Sequence, residues 1–221
     1  MIISLISVGA ATASYFFFDI TIAKFWKLSI NHGSFNVFIV RAFKLIGKIG
    51  EDHICLLMWL GFYSLLPIKN KFSKDKGLFL FLTYFVPFVS IYSLKFILGR
   101  ARPSLYFSEG LYGFTFLEIF NASKHSMPSG HAGIISATMT SLALVFPRLA
   151  WLFYSISFVI AISRVITGAH YPSDIIIGWA LGHLIVKALY DFRFKLAFVE
   201  DQPQITAKET EKSSELVGAK V

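Results

Sequence analysis

Three short stretches concentrate the residues that could do chemistry: "KFILGRARP" (95–103), "PSGH" (128–131) and "SRVITGAHYPSD" (163–174). Together they hold the cations Lys95, Arg100, Arg102 and Arg164, the histidines His131 and His170, the carboxylate Asp174, and a Ser129-Gly130 pair at a helix start. An arginine fork matches phosphate oxygens in a bidentate manner, and the free N–H groups of a helix N-terminus attract anions. A histidine can attack phosphorus, a second can protonate the leaving alkoxide, and a carboxylate can fix the tautomer and orientation of the first. The set reads as a phosphate cradle. His170 and Asp174 form an i, i+4 pair if helical, but Pro172 between them favours a turn followed by a helix N-terminus; either allows contact. No second carboxylate lies within the three stretches, the nearest others being Glu109 and Glu118 in the intervening segment, so a site built on two metal ions is not expected.

A very apolar chain has to position these groups. Of 221 residues, 55% are hydrophobic and 15% charged, and the mean hydropathy of +0.63 is that of a membrane protein rather than a soluble domain. Charged groups at membrane depth cost several kcal/mol and are functional candidates by default. The net charge of +8 does not point to nucleic acid, because the basic residues are scattered along span ends rather than gathered on one polar segment. Up to residue 190 there are sixteen basic and seven acidic residues, a balance suited to anionic headgroups and phosphates. Cys55 is the single cysteine, which rules out an internal disulfide or a cysteine-based zinc site and receives no role here; nor do His32 and His53.

Apolar runs predict an all-α, polytopic bundle of six transmembrane helices, at 1–18, 53–68, 77–99, 131–146, 149–167 and 174–190. The first has no positively charged n-region and reads as a retained span rather than a cleaved leader. Residues 34–49 place Arg41, Lys44 and Lys48 at helical spacing and predict an amphipathic helix lying on the membrane. "KNKFSKDK" (69–76), with four lysines, assigns that connection to the cytoplasm. Both termini are then cytoplasmic and the three chemical stretches face outward. The outward position of the basic 34–49 helix runs against this rule unless it lies flat on headgroups. Residues 1–195 form the membrane domain, and 196–221, polar and poor in aromatics, are expected to be a disordered cytoplasmic tail.

Between His131 and His170 the chain crosses the membrane and returns, so both histidines come back to one level. Lys95-x6-Arg102-Pro103, Pro128-Ser129-Gly130-His131 and Ser163-Arg164-x5-His170-x3-Asp174 together resemble the three-part signature of the type 2 phosphatidic acid phosphatase (PAP2) family. The parts match in order and without substitution over 95–174, and the six-span layout extends the likeness to roughly 1–190. The resemblance implies that His170 attacks phosphorus to give a phosphohistidine, that Asp174 orients it, and that His131 protonates the leaving group and then activates water. It implies that Lys95, Arg102, Arg164, Ser129 and the Gly130 amide hold the phosphoryl oxygens, and that neither metal nor cofactor is needed.

Arg100 falls outside that signature and is read as a headgroup contact. His183 is read as an interior polar group, His125 as a loop residue near the site, and Gly178 and Gly182 as positions of close helix packing. The expected activity is metal-independent hydrolysis of a lipid phosphomonoester or diphosphate at the outer face of a bacterial inner membrane. Undecaprenyl diphosphate or a broad set of lipid phosphates leads, with lipid A phosphate, phosphatidylglycerophosphate and phosphatidic acid as further candidates. A non-catalytic binder or transporter of lipid phosphate, and an oxidoreductase like the soluble vanadium haloperoxidases that share the anion pocket, are the competing classes. Oligomeric state is left open.

Overall fold

The structure is a computed structural model that describes residues 2–31, 37–49 and 71–195. Its helices are α1 (Ile2–Ala13), α2 (Asp19–Asn31), α3 (Val37–Ile49), α4 (Lys71–Leu98), α5 (Pro103–Glu109), α6 (Gly130–Val145), α7 (Ala150–Ile166) and α8 (Pro172–Leu189). The molecule is an all-α membrane protein. Four stretches are long and apolar enough to cross a bilayer: Ser4–Ile30, Gly77–Leu98, Pro147–Ile166 and Pro172–Phe194. The span expected at 53–68 and the tail at 196–221 lie outside the described residues.

The hub is α6. Its 16 residues reach only about 24 Å, short of a ~30 Å hydrocarbon core, but twelve of them are buried, and α4, α7 and α8 pack around it. Small residues permit that approach. A Cβ on Gly182 of α8 would stand 2.1 Å from the Gly133 carbonyl of α6, and one on Gly178 would stand 2.5 Å from the Ser129 carbonyl. The glycines expected to mark close packing therefore do so within one chain. Two hydroxyls buried at these contacts find partners across helices, as suits polar groups in apolar surroundings: Ser136 Oγ donates to the Trp179 carbonyl at 2.7 Å and Thr140 Oγ1 bonds His183 Nδ1 at 3.1 Å. His183 also stacks on Trp179. It is the interior polar group that the sequence suggested. Phenylalanines cover the outside, with Phe16, Phe17 and Phe18 of the first helix and Phe81 and Phe85 of α4 all exposed.

Two boundaries differ from expectation. The first helix does not stop at residue 18 but continues through a π-helical turn, Ser14–Phe18, into α2. Asp19 does not end it because its carboxylate is buried and paired with a residue far along the chain. The irregular segment 100–130 contains α5 and a 3-10 turn, Ala122–Lys124. Residues 37–49 are helical, and α3 packs along α7 with Val40 and Gly47 buried and Arg41, Lys44 and Lys48 largely outward.

Candidate active site

The three chemical stretches meet at one end of the bundle, at the C-terminus of α4 and the N-termini of α6 and α8. Backbone bonds tie them together: the Ser129 N–H donates to the Asp174 carbonyl at 3.0 Å, and the Ser126 N–H donates to the Arg100 carbonyl at 3.0 Å. Gly168, with φ +70°, reverses the chain after α7, so that the N–H groups of Ala169 and His170 both donate to the Arg164 carbonyl, at 2.9 and 3.2 Å. Arg164 and His170 are thereby locked in register by a turn that a Cβ-bearing residue would resist. Pro172 then opens α8 and Asp174 takes its third position, accepting the Tyr171 N–H at 2.9 Å.

The His170 side chain is almost wholly buried. Its Nδ1 lies 3.6 Å from Asp174 Oδ2, longer than a hydrogen bond. Ser126 Oγ lies between them, donating to Asp174 Oδ2 at 2.5 Å and standing 3.5 Å from His170 Nδ1. Carboxylate and hydroxyl both face Nδ1, an arrangement that leaves Nε2 as the atom presented elsewhere. Burial, with the Lys95 and Arg102 charges adding to it and Asp174 opposing, holds the imidazole down at about 4. It is therefore neutral at pH 7, as a nucleophile must be.

His131, half-buried in the first turn of α6, shares the electrostatic field of Arg164, His170, Lys95 and Arg102. Lys95 Nζ donates to the His125 carbonyl at 2.9 Å, and Arg102 NH2 reaches the same carbonyl at 3.5 Å. Lys95 also lies against Gly130, its Cε 3.4 Å from where a Cβ would stand. Burial lowers the Arg102 guanidinium from its ordinary value, against the pull of Asp174 and Tyr92. Ser129 caps α6, its hydroxyl accepting the Ala132 N–H at 3.4 Å. Residues Lys95, Arg102, Ser129, Gly130, His131, Arg164, His170 and Asp174 thus gather at one end of the bundle, with α3 behind them: a Cβ on Gly47 would meet an Arg164 nitrogen at 2.6 Å. The His125 ring turns away from this cluster to the Glu118 carbonyl, 2.6 Å from Nε2, and to the edge of Phe96. Its carbonyl, not its ring, serves the site.

Arg100 is not a headgroup contact. It is wholly buried, its NH1 donating to Asp174 Oδ1 and, at 2.6 Å, to Ser173 Oγ, and its NH2 pairing with Asp19 Oδ2 at 2.6 Å. The rings of Tyr15, Tyr112, Phe114 and Tyr171 surround the guanidinium, with centroids 4.7 to 5.6 Å from it. Desolvation alone would lower its pKa, but Asp174 and Asp19 outweigh that and raise it. The second carboxylate near Asp174 is therefore Asp19, not Glu109 or Glu118. Asp19 also accepts the Ser173 N–H at 3.0 Å and the Ser14 hydroxyl at 2.8 Å. Both carboxylates share one guanidinium, which fills the place a metal ion could otherwise take between them. Asp19, Ser126 and Ser173 were not foreseen from the sequence. Asp19 alone had a local signal, being the first charged residue of the chain and lying within an apolar run.

Among known proteins, the chain is 37% identical over 127 residues to a lipid A 1-phosphatase of Rhizobium etli, a match covering 55% of this chain and 54% of that protein. It is 30% identical over 141 residues to an undecaprenyl-diphosphatase of Sulfolobus acidocaldarius, covering 63% of this chain and 64% of that one. The chain spans about half the length of the lipid A 1-phosphatases it matches. In fold it is similar to the transmembrane PAP2-type phosphatidylglycerolphosphate phosphatase of Bacillus subtilis, with a TM-score of 0.64 and 21% identity, covering 87% of this chain and 94% of that one. The family model of the PAP2 superfamily matches residues 76–198, which take in all three chemical stretches and more than half of the chain; the protein belongs to the PAP2 superfamily.

Proposed function

We propose that the protein hydrolyses a phosphomonoester or diphosphate of a membrane lipid through a phosphohistidine on His170. The observation that carries this reading is a buried, neutral imidazole backed by Asp174 and Ser126 and sharing its field with Lys95 and Arg102. In the first step His170 Nε2 bonds to phosphorus as the bond to the leaving oxygen breaks, and His131 gives its proton to that oxygen. In the second, His131 takes a proton from water whose oxygen attacks phosphorus; the N–P bond breaks and inorganic phosphate leaves. Asp174 supports the positive charge that develops on the imidazole while Lys95, Arg102 and Arg164, with Ser129 and the Gly130 amide, hold the phosphoryl oxygens. No step calls for a metal or cofactor.

The substrate class rests on the apolar bundle around the site, which lets lipid tails stay in the bilayer while the headgroup reaches the cations. The names of its relatives put lipid A and undecaprenyl diphosphate first among candidates. Lys71, Lys74 and Lys76 in the first turns of α4, at the opposite end of that helix from Lys95, support an outward-facing site in a bacterial inner membrane. The test is phosphate release by the purified protein, with chelator present, from undecaprenyl diphosphate, lipid A, phosphatidylglycerophosphate and phosphatidic acid. Turnover of one that vanishes in His170→Ala is the expected result. Binding of these lipids without turnover by the folded wild type would instead make it a lipid-phosphate binder.

A further inference from the structure

We infer that the loop 113–120 is a membrane-docking element that inserts its apolar tip into the leaflet at the site-bearing end of the bundle. The loop is built inside out. Phe116, Leu117, Ile119 and Phe120 point outward, Leu117 being 76% and Phe120 97% exposed, whereas the one charged residue among them, Glu118, turns back to pair with Lys124 at 2.5 Å. A loop meant for water would show the reverse pattern.

Its depth is fixed by hydrogen bonds to the end of a membrane span. The N–H groups of Thr115, Phe116 and Leu117 donate to the carbonyls of Gly99, Leu98 and Ile97 at 3.1, 3.3 and 2.9 Å, capping the last turn of α4. Leu98 ends the apolar span Gly77–Leu98, so Leu117 lies at the level of Ile97. The exposed Phe96 and Ile97 of α4 continue directly into the loop, and the surface they continue, with Phe85 and Val89, is the one that meets lipid. Phe116 and Leu117 hold φ of 48° and 54°, a conformation that costs bulky residues about 1–2 kcal/mol each. The three bonds to α4 sustain it, and it is what turns both side chains outward. Lipid chains are therefore the occupant of this surface.

The loop also reaches the cations of the site. The Glu118 carbonyl holds the His125 ring, and the His125 carbonyl holds Lys95 and Arg102. Resting on the phosphatase reading for this consequence alone, docking would set the height at which a bilayer-borne phosphate meets those cations.

Docking is tested without catalysis by a nitroxide on Phe120→Cys in a Cys55→Ser chain, reconstituted in phosphatidylethanolamine–phosphatidylglycerol vesicles. The expected result is access by oxygen but not by a water-soluble nickel chelate, with the reverse at a control label on Glu109→Cys. Access by nickel at position 120, or exclusion of both reagents as at a protein contact, overturns the inference. For turnover, the triple variant Leu117→Ser, Ile119→Ser, Phe120→Ser should raise KM for long-chain lipid in those vesicles about tenfold and leave a water-soluble short-chain analogue unchanged. Equal loss on both overturns the coupling, while a wild type inactive on every lipid defeats the phosphatase reading and leaves the label result standing.

Discussion

Arg100 and Arg102 stand two residues apart and do opposite things. Arg100 is sealed inside, between Asp19 and Asp174 and among four aromatic rings; Arg102 is only partly buried, and among the described residues its side chain makes a single long hydrogen bond, to the His125 carbonyl. The partners of the stretch that carries them explain the split. Arg100 pairs in a short antiparallel bridge with Phe114, and Arg102 is extended at φ −77°, ψ 161° as the residue that opens α5. The two share a nearly extended stretch, but the partners at each end, not the local alternation, decide which side is the interior. One cation is consumed in holding the carboxylate behind His170. The other is left available to an incoming anion.

That division can be broken most forcefully at Arg100. Arg100→Ala leaves two buried carboxylates facing each other, a loss of about 3–5 kcal/mol, and is expected to reduce folded protein sharply, as read by thermal unfolding in detergent. Arg102→Ala should leave the unfolding midpoint near that of the wild type while kcat/KM for the lipid substrate falls about 10²–10³-fold. Equal loss of stability in the two variants would erase the distinction. Asp19→Asn keeps the shape of the clamp but removes one of its charges, and should cost about 1.5–3 kcal/mol of stability with a smaller drop in turnover than Arg102→Ala. The mildest test is acid. An ordinary histidine at 6.5 would be mostly protonated at pH 5.5, whereas His170, held at about 4, keeps its lone pair, so its protonation should leave kcat/KM undiminished until the pH falls towards 4. A limb near 6.5 assigned to His170 by its imidazole resonances would show that the buried layer does not control it.

The sequence carried the residues of the candidate site because they sit in short local patterns: Lys95 to Arg102, Ser129 to His131, Arg164 to Asp174. The helices at 77–98, 130–145, 150–166 and 172–189 were equally legible from apolar runs, and the turn before Asp174 from Pro172. The supporting layer was not, because each of its bonds joins distant parts of the chain. Arg100 meets Ser173 across 73 residues and Asp19 across 81, and nothing local to "GRARP" says which arginine turns inward. Ser126 lies two residues before the "PSGH" stretch and looks like any loop serine until the fold brings it between His170 and Asp174. The apolar run that predicts the first span stops at Phe18, one residue before Asp19, and nothing local tells that a buried partner lets the helix continue through it.

Asp19 also dictates an order of biosynthesis. The ribosome delivers it 154 residues ahead of Ser173, which donates to it through both its N–H and its hydroxyl, a wait on the order of ten seconds at ordinary elongation rates. Until Arg100 follows it by 81 residues, this carboxyl group has only the neighbouring Ser14 hydroxyl among its final partners, and it must be kept out of hydrocarbon by the insertion machinery or by water. The helix that carries Asp19 is thus satisfied in full only once α8 has been made. A chain truncated before α8 would carry a buried carboxylate without the N–H and hydroxyl of Ser173.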